Sequence, residues 1–123
     1  MAIVLDHTIV PARDKEASAR FFAEIFGLEY KGSSGHFAPV HVNDSLTLDF
    51  DNREDFESHH YAFYIGDDEF DAILARVKAA GRAFGSGPRS HTDGKINTRR
   101  GGRGFYFADL DGHLLEVMTT PER

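Results

Sequence analysis

The feature that most narrows the fold of this chain is an order of elements that occurs twice. Ile3 to Val10 is β-branched and apolar and reads as a strand that Pro11 closes. After Asp14, a helix N-cap by type, Ala17, Phe21, Phe22, Ile25 and Phe26 recur at helical spacing until Gly27 stops the run. Short strands are expected at 28–31, 37–42 and 46–50, the last two joined by a turn at Asn43-Asp44-Ser45. A second cycle opens with a strand at His60 to Ile65. Asp67 or Asp68 can then cap a helix with Phe70, Ile73, Leu74 and Val77 on one face, and Gly81 stops it. A short segment at 82–84 precedes a loop at 85–104 rich in Gly, Arg and Ser, and a hairpin follows around Asp111-Gly112. The interval from His7 to Gly27 is one residue shorter than that from His60 to Gly81. Leu48-Asp49-Phe50 ends the first cycle as Leu115-Glu116-Val117 nearly ends the second. Two diverged copies of one βαβββ module are the simplest account. The expectation is an α+β chain in a single domain, 1–123, with modules at about 1–52 and 58–120.

Side chains alternate along a strand, so each strand has two characters. Tyr61, Phe63 and Ile65 oppose His60, Ala62 and Tyr64. Leu115 and Val117 oppose Leu114, Glu116 and Met118, and Leu46, Leu48 and Phe50 oppose Thr47 and Asp49. The apolar sets can lie under the two helices. A carboxylate among apolar neighbours is costly to bury unless it is paired or bound to a cation. If the strands curl into a half-barrel with the helices on its outer face, His7, His60 and Glu116 can converge on the concave side. Two imidazoles and one carboxylate, with a position left open, make a catalytic type of metal site. The chain has no cysteine, so thiolate sites, disulfides and a cysteine nucleophile are excluded. His59 alternates away from His60, His113 belongs to the hairpin turn, and His41 lies on a candidate cup-lining strand. His36 and His91 fall in loops and carry no signal. The Phe21/Phe22/Ile25/Phe26 stripe is read as core.

Fourteen basic against twenty acidic residues give a net charge of −6 in a chain of 123 residues. A nucleic-acid partner needs a concentrated basic surface, which this chain lacks. Its one basic cluster, Arg99, Arg100 and Arg103, is a candidate anion site, either closing over a substrate or simply solvated. No apolar stretch has the length of a membrane span, and the opening run Met1 to His7 does not read as a signal peptide. A cytoplasmic location is expected.

Three stretches are recognisable: Asp6-His7-Thr8-Ile9-Val10, His60-Tyr61-Ala62-Phe63, and the run from Gly104 to Val117 with its Phe-Tyr-Phe, Asp-x-Asp-Gly-His and Leu-Glu-Val elements. They resemble the vicinal oxygen chelate superfamily of glyoxalases, bleomycin- and fosfomycin-resistance proteins and extradiol dioxygenases. The resemblance implies paired βαβββ modules forming a cup around a divalent ion (Mn, Fe, Zn, Ni or Co), usually in a homodimer. Its layout is nearest the fosfomycin-resistance thiol transferases, whose His/His/Glu ligand pattern falls on His7, His60 and Glu116. In such dimers the first-strand histidine often comes from the other subunit. The glyoxalase branch adds an acid at the position of Asp49, for which fourth ligand, general base and hydrogen-bonded wall residue all stay open. The tyrosine of the Phe-Tyr-Phe strand is kept as Tyr106, a candidate hydrogen-bond donor to substrate. Ile9 and Gly104 replace two hydroxyl residues that help hold phosphonate in the fosfomycin enzymes, which argues against fosfomycin itself. The resemblance therefore implies a metal-dependent lyase, isomerase or thiol transferase acting on a small molecule, with a thiol as a candidate co-substrate. Ring cleavage is set aside because those dioxygenases usually have longer chains. The alternative is a metal-free binding protein of the bleomycin-resistance type.

Overall fold

The computed structural model describes residues 3–123. Met1 and Ala2, which begin the run read as carrying no leader, lie outside them. The elements are β1 (His7–Ala12), α1 (Lys15–Phe26), β2 (Ala38–His41), β3 (Thr47–Asn52), β4 (His60–Tyr64), α2 (Asp67–Ala79), β5 (Gly104–Ala108) and β6 (Leu114–Met118). They form two compact units, 1–57 and 58–123, each a helix with a three-stranded mixed sheet. This is an α+β architecture with no closed barrel.

In the first unit the strand order is β1-β3-β2, β1 parallel and β2 antiparallel to β3. Asp14 caps α1, its Oδ1 accepting from the Ala17 N–H at 3.2 Å. Gly27, at φ 70, ends the helix, with the Leu28 N–H donating to the Ala23 carbonyl at 2.8 Å. Ala19, Phe22, Ala23 and Ile25 are buried, together with Val10, Ala12, Ala38, Val40, Leu48 and Phe50 of the strands. Phe21 and Phe26 are only half-buried, so the aromatic stripe is core in part, and Ala19 and Ala23 are buried more completely than either. The Asn43 turn forms as expected, its Oδ1 accepting from the N–H groups of Ser45 and Leu46 at 2.8 and 2.9 Å.

The second unit repeats the plan in the order β4-β6-β5. Phe70, Ile73 and Val77 of α2 are buried, as are Phe105, Phe107, Leu115 and Val117. The Phe70 and Phe105 rings meet edge to face, centroids 5.3 Å apart. Gly81, at φ 69, closes the helix, and the Arg82 N–H donates to the Val77 carbonyl at 3.1 Å. The Asp111-Gly112 hairpin is held by Asp109, whose Oδ1 accepts from the N–H groups of Asp111 and His113, both at 2.9 Å.

Four local expectations are corrected. β1 begins at His7 and runs through Pro11, because β1 is an edge strand and a proline there forfeits no ladder bond. The N-cap of α2 is Gly66, whose N–H donates to Glu69 Oε1 at 3.1 Å. Asp67 and Asp68 sit in the first turn instead, where their charge suits the helix dipole. Residues 28–31 form no strand: their side chains alternate in exposure, but among the described residues no strand pairs with them. In the second unit the matching segment is reduced to a single bridge, Gly85 with Tyr106. Each module is thus βαββ in its regular elements.

Candidate metal and substrate site

Helix α2 covers one face of the second sheet, and the chemistry lies on the other. The register places Ala62, Glu116 and Tyr106 in one row across β4, β6 and β5, so their side chains share a face. His60 stands two residues before Ala62 on that face. Its Nε2 lies 3.0 Å from Glu116 Oε1. The Glu116 side chain is 11% exposed and that of His60 48%, so a largely desolvated carboxylate meets a half-open imidazole. The Tyr106 ring lies 5.9 Å from the His60 ring. Burial raises the Tyr106 phenol above its ordinary pKa, the Glu116 carboxylate pushes the same way, and Arg99 opposes both.

A cavity of about 580 Å³ opens over this face, lined by His60, Ala62, Tyr64, Tyr106, Glu116 and Met118, with Arg99 and Arg100 on one side. Its size falls within the range of roughly 300–1,000 Å³ common for small-molecule sites. Tyr64 is 63% exposed and faces the cavity rather than the core. Of the three loop arginines, Arg103 is not part of it. Its guanidinium pairs with Asp67 and Asp71 at 3.0 and 2.8 Å and covers the Phe70 ring, fastening the loop to α2. The 85–104 loop is pinned, with Asn97 and Gly104 exchanging backbone hydrogen bonds of 2.8 and 3.0 Å.

In the first unit the corresponding row is Ile9, Asp49 and Pro39. His7, on the same face, has Nδ1 2.8 Å from Asp6 Oδ2. That contact raises the His7 pKa, with Asp49 contributing from further off. His41 Nδ1 lies 2.8 Å from Thr47 Oγ1. His113 is fully buried and its Nδ1 accepts from the His59 N–H at 2.9 Å, a structural role. Among the described residues no group of three His, Asp or Glu side chains is gathered at one point. His60 and Glu116 meet, and His7 and Asp49 belong to the other unit. One imidazole and one carboxylate suit a divalent ion such as Mn, Fe, Zn, Ni or Co, with further donors required. The pair fits such an ion. What the residue pattern gave no means to find was the tie between Arg99 and Tyr106, the Arg99 Nη1 donating to the Tyr106 hydroxyl at 2.6 Å.

A histidine and a glutamate facing one cavity, on the last sheet of a chain that repeats a βα module, agree with a vicinal-oxygen-chelate type of protein. Residues 4–117 match the Glyoxalase/Bleomycin resistance protein/Dioxygenase superfamily, and the chain belongs to it. Several of its relatives are enzymes by name. The solved structure of oxidase ChaP-H2 is 44% identical, with a TM-score of 0.93, covering 98% of this chain and 96% of that one. The glutathione transferase FosA of Serratia marcescens is 26% identical over 120 residues, 92% of this chain and 78% of the relative. A FosX variant of Listeria monocytogenes, solved with Mn(II) and 1S,2S-dihydroxypropylphosphonic acid, shares the fold at 24% identity and a TM-score of 0.74, covering 99% of this chain and 96% of that one. Among the described residues no helix is long and apolar enough to cross a membrane.

Proposed function

We propose that this protein is a divalent-metal-dependent enzyme acting on a small oxygen-bearing substrate, with His60 and Glu116 as two of the metal's ligands. The observation that carries the reading is the 3.0 Å approach of His60 to a Glu116 carboxylate that the fold has nearly removed from water. His7 is the third donor, supplied by a second copy of the chain in a homodimer, and the two units of each copy work together as one domain. A bound ion would act as a Lewis acid toward substrate oxygens. Tyr106 orients the substrate through its hydroxyl, which Arg99 holds in place at 2.6 Å. Asp49 is a wall residue near enough to His7 for its charge to act on that imidazole, which Asp6 holds through the 2.8 Å contact.

The reaction is isomerisation, lyase chemistry or addition of a thiol, the last supported by the likeness to a glutathione transferase. The 44% identity to an oxidase of nearly equal length favours a second reading, oxidation at the same site. It also removes chain length as an objection to oxidative chemistry. Protein purified without chelator is assayed for metal, then for oxygen uptake and for thiol consumption with a panel of small electrophiles. Near-stoichiometric metal that falls in His60→Ala supports the reading. Substoichiometric metal, unchanged by His60→Ala, would leave the metal-free drug-binding alternative standing.

A further inference from the structure

We infer that the cavity beside His60 and Glu116 selects a substrate bearing an oxyanion, and that Arg100 is the residue that selects it. The inference rests on the reading of that cavity as the substrate site. Among the described residues Arg100 is the only one other than glycine with positive φ, at φ 54 and ψ 28. A residue with a side chain is disfavoured there and stays only when its surroundings hold it.

The surroundings do hold it. Asn97 and Gly104 clamp the loop, and the Gly102 N–H donates to the Arg99 carbonyl at 3.0 Å. Gly102 lies so close to the Thr119 and Thr120 hydroxyls that no Cβ fits between them. The result is a long cationic side chain at the edge of a 580 Å³ cavity, placed there against local preference.

The three arginines of this run have different fates. Arg103 is consumed by Asp67 and Asp71. Arg99 is consumed by Tyr106 and by the Ser86 carbonyl, its guanidinium 5.5 Å over the Tyr106 ring. Arg100 makes no hydrogen bond or ion pair with any described residue, yet it lines the cavity. Glu122 and the terminal Arg123 also border the cavity, and Glu116 is engaged with His60. Of the three loop arginines Arg100 is therefore the one left for a ligand, in a chain with a net charge of −6. Its planar fork matches a carboxylate or a phosphonate in two-point contact. Tyr64 and Met118 offer an apolar surface for the body of the same molecule. The substrate class is a small organic oxyanion, its acid group on Arg100 and the rest extending toward His60 and Glu116.

The test uses the full chain treated with chelator, so that no metal contributes to anion binding. Benzoate and phenylphosphonate are titrated by calorimetry into wild type, Arg100→Ala, Arg100→Gly and Arg100→Lys. Saturable binding of at least one probe is expected, weakened by salt. Arg100→Ala and Arg100→Gly should lose about tenfold in affinity, and Arg100→Lys should recover part of it. Preference between the probes tells carboxylate from phosphonate. Arg100→Gly suits the left-handed backbone, so its unfolding midpoint should equal or exceed that of wild type, separating lost binding from lost folding. Wild type that binds neither probe, or Arg100→Gly that binds as tightly as wild type, overturns the inference. Mn(II) binding is measured separately on the same proteins. Its absence from wild type would refute the metal reading and leave the anion result intact.

Discussion

Replacing Glu116 by glutamine separates a metal ligand from a structural acid, because the first role shows its effect only with metal present and the second also without it. Glutamine keeps the size of the side chain and an amide oxygen that still accepts from His60 Nε2 across the present 3.0 Å. It also removes a charge from a side chain that is 11% exposed, which relieves desolvation. Without metal, Glu116→Gln should therefore lie within about 1 kcal/mol of wild type in either direction. With metal the outcome differs. An ion that binds only the folded state stabilises wild type by about 2.7 kcal/mol when its free concentration is a hundred times Kd. For a chain of 123 residues, each kcal/mol raises the unfolding midpoint by roughly 4 °C, so the shift is about 10 °C. The neutral amide should bring that to about 2 °C or less, since it loses the charge that holds a hard cation. The assay is thermal unfolding by circular dichroism in chelator, then in buffered Mn(II), Zn(II), Co(II) and Ni(II). A wild-type midpoint indifferent to every metal would refute the reasoning, as would a variant stabilised as much as wild type. A metal-free variant weaker by more than about 2 kcal/mol would make Glu116 a structural residue.

Phe105→Ala should cost about 3–5 kcal/mol, read as a lower urea midpoint, since the ring is fully buried between Phe70 and Phe84. Gly102→Ala should cost about 1–3 kcal/mol by forcing the new Cβ against the Thr119 and Thr120 hydroxyls, and Thr120→Ala in the same chain should recover part of it. Burial, followed by the charge of Asp109, pushes the Tyr61 phenol up to about 12. A folded pKa raised above the unfolded value near 10 gives stability that is complete below pH 10 and lost as pH climbs toward 12. Because the ring is only half-buried, the loss is about 1 kcal/mol after solvent screening, and Tyr61→Phe should remove that share of the alkaline decline in unfolding free energy.

Much of this architecture was legible because it depends on local chemistry. Gly27 and Gly81 stop their helices through the left-handed conformation that glycine tolerates, and both do so with the same closing hydrogen bond from the following residue. Parity along a strand told which residues share a face, so Glu116 and His60 could be placed together before any pairing was known. Pairing itself was not legible. β1 lies beside β3 rather than β2, and β4 beside β6 rather than β5, through parallel contacts whose partners are far apart in sequence. The persistence of β1 through Pro11 follows only once that strand is known to be an edge.

The register also explains why the duplicated unit carries its chemistry on one side. Glu116 is flanked by Ala62, which leaves space, and by Tyr106, which brings a hydroxyl. Asp49 occupies the same place in its own sheet but is flanked by Ile9 and Pro39, neither with a polar side chain, and it is one methylene shorter. The histidine on its face is turned toward Asp6, so no carboxylate–imidazole pair like that of His60 and Glu116 forms there. One module thus holds a histidine–glutamate pair beside a cavity, while the other holds an imidazole turned to Asp6. If the proposed homodimer forms, His7 of one copy can complete the His60–Glu116 pair of the other, and His7→Ala should then lower metal content as His60→Ala does.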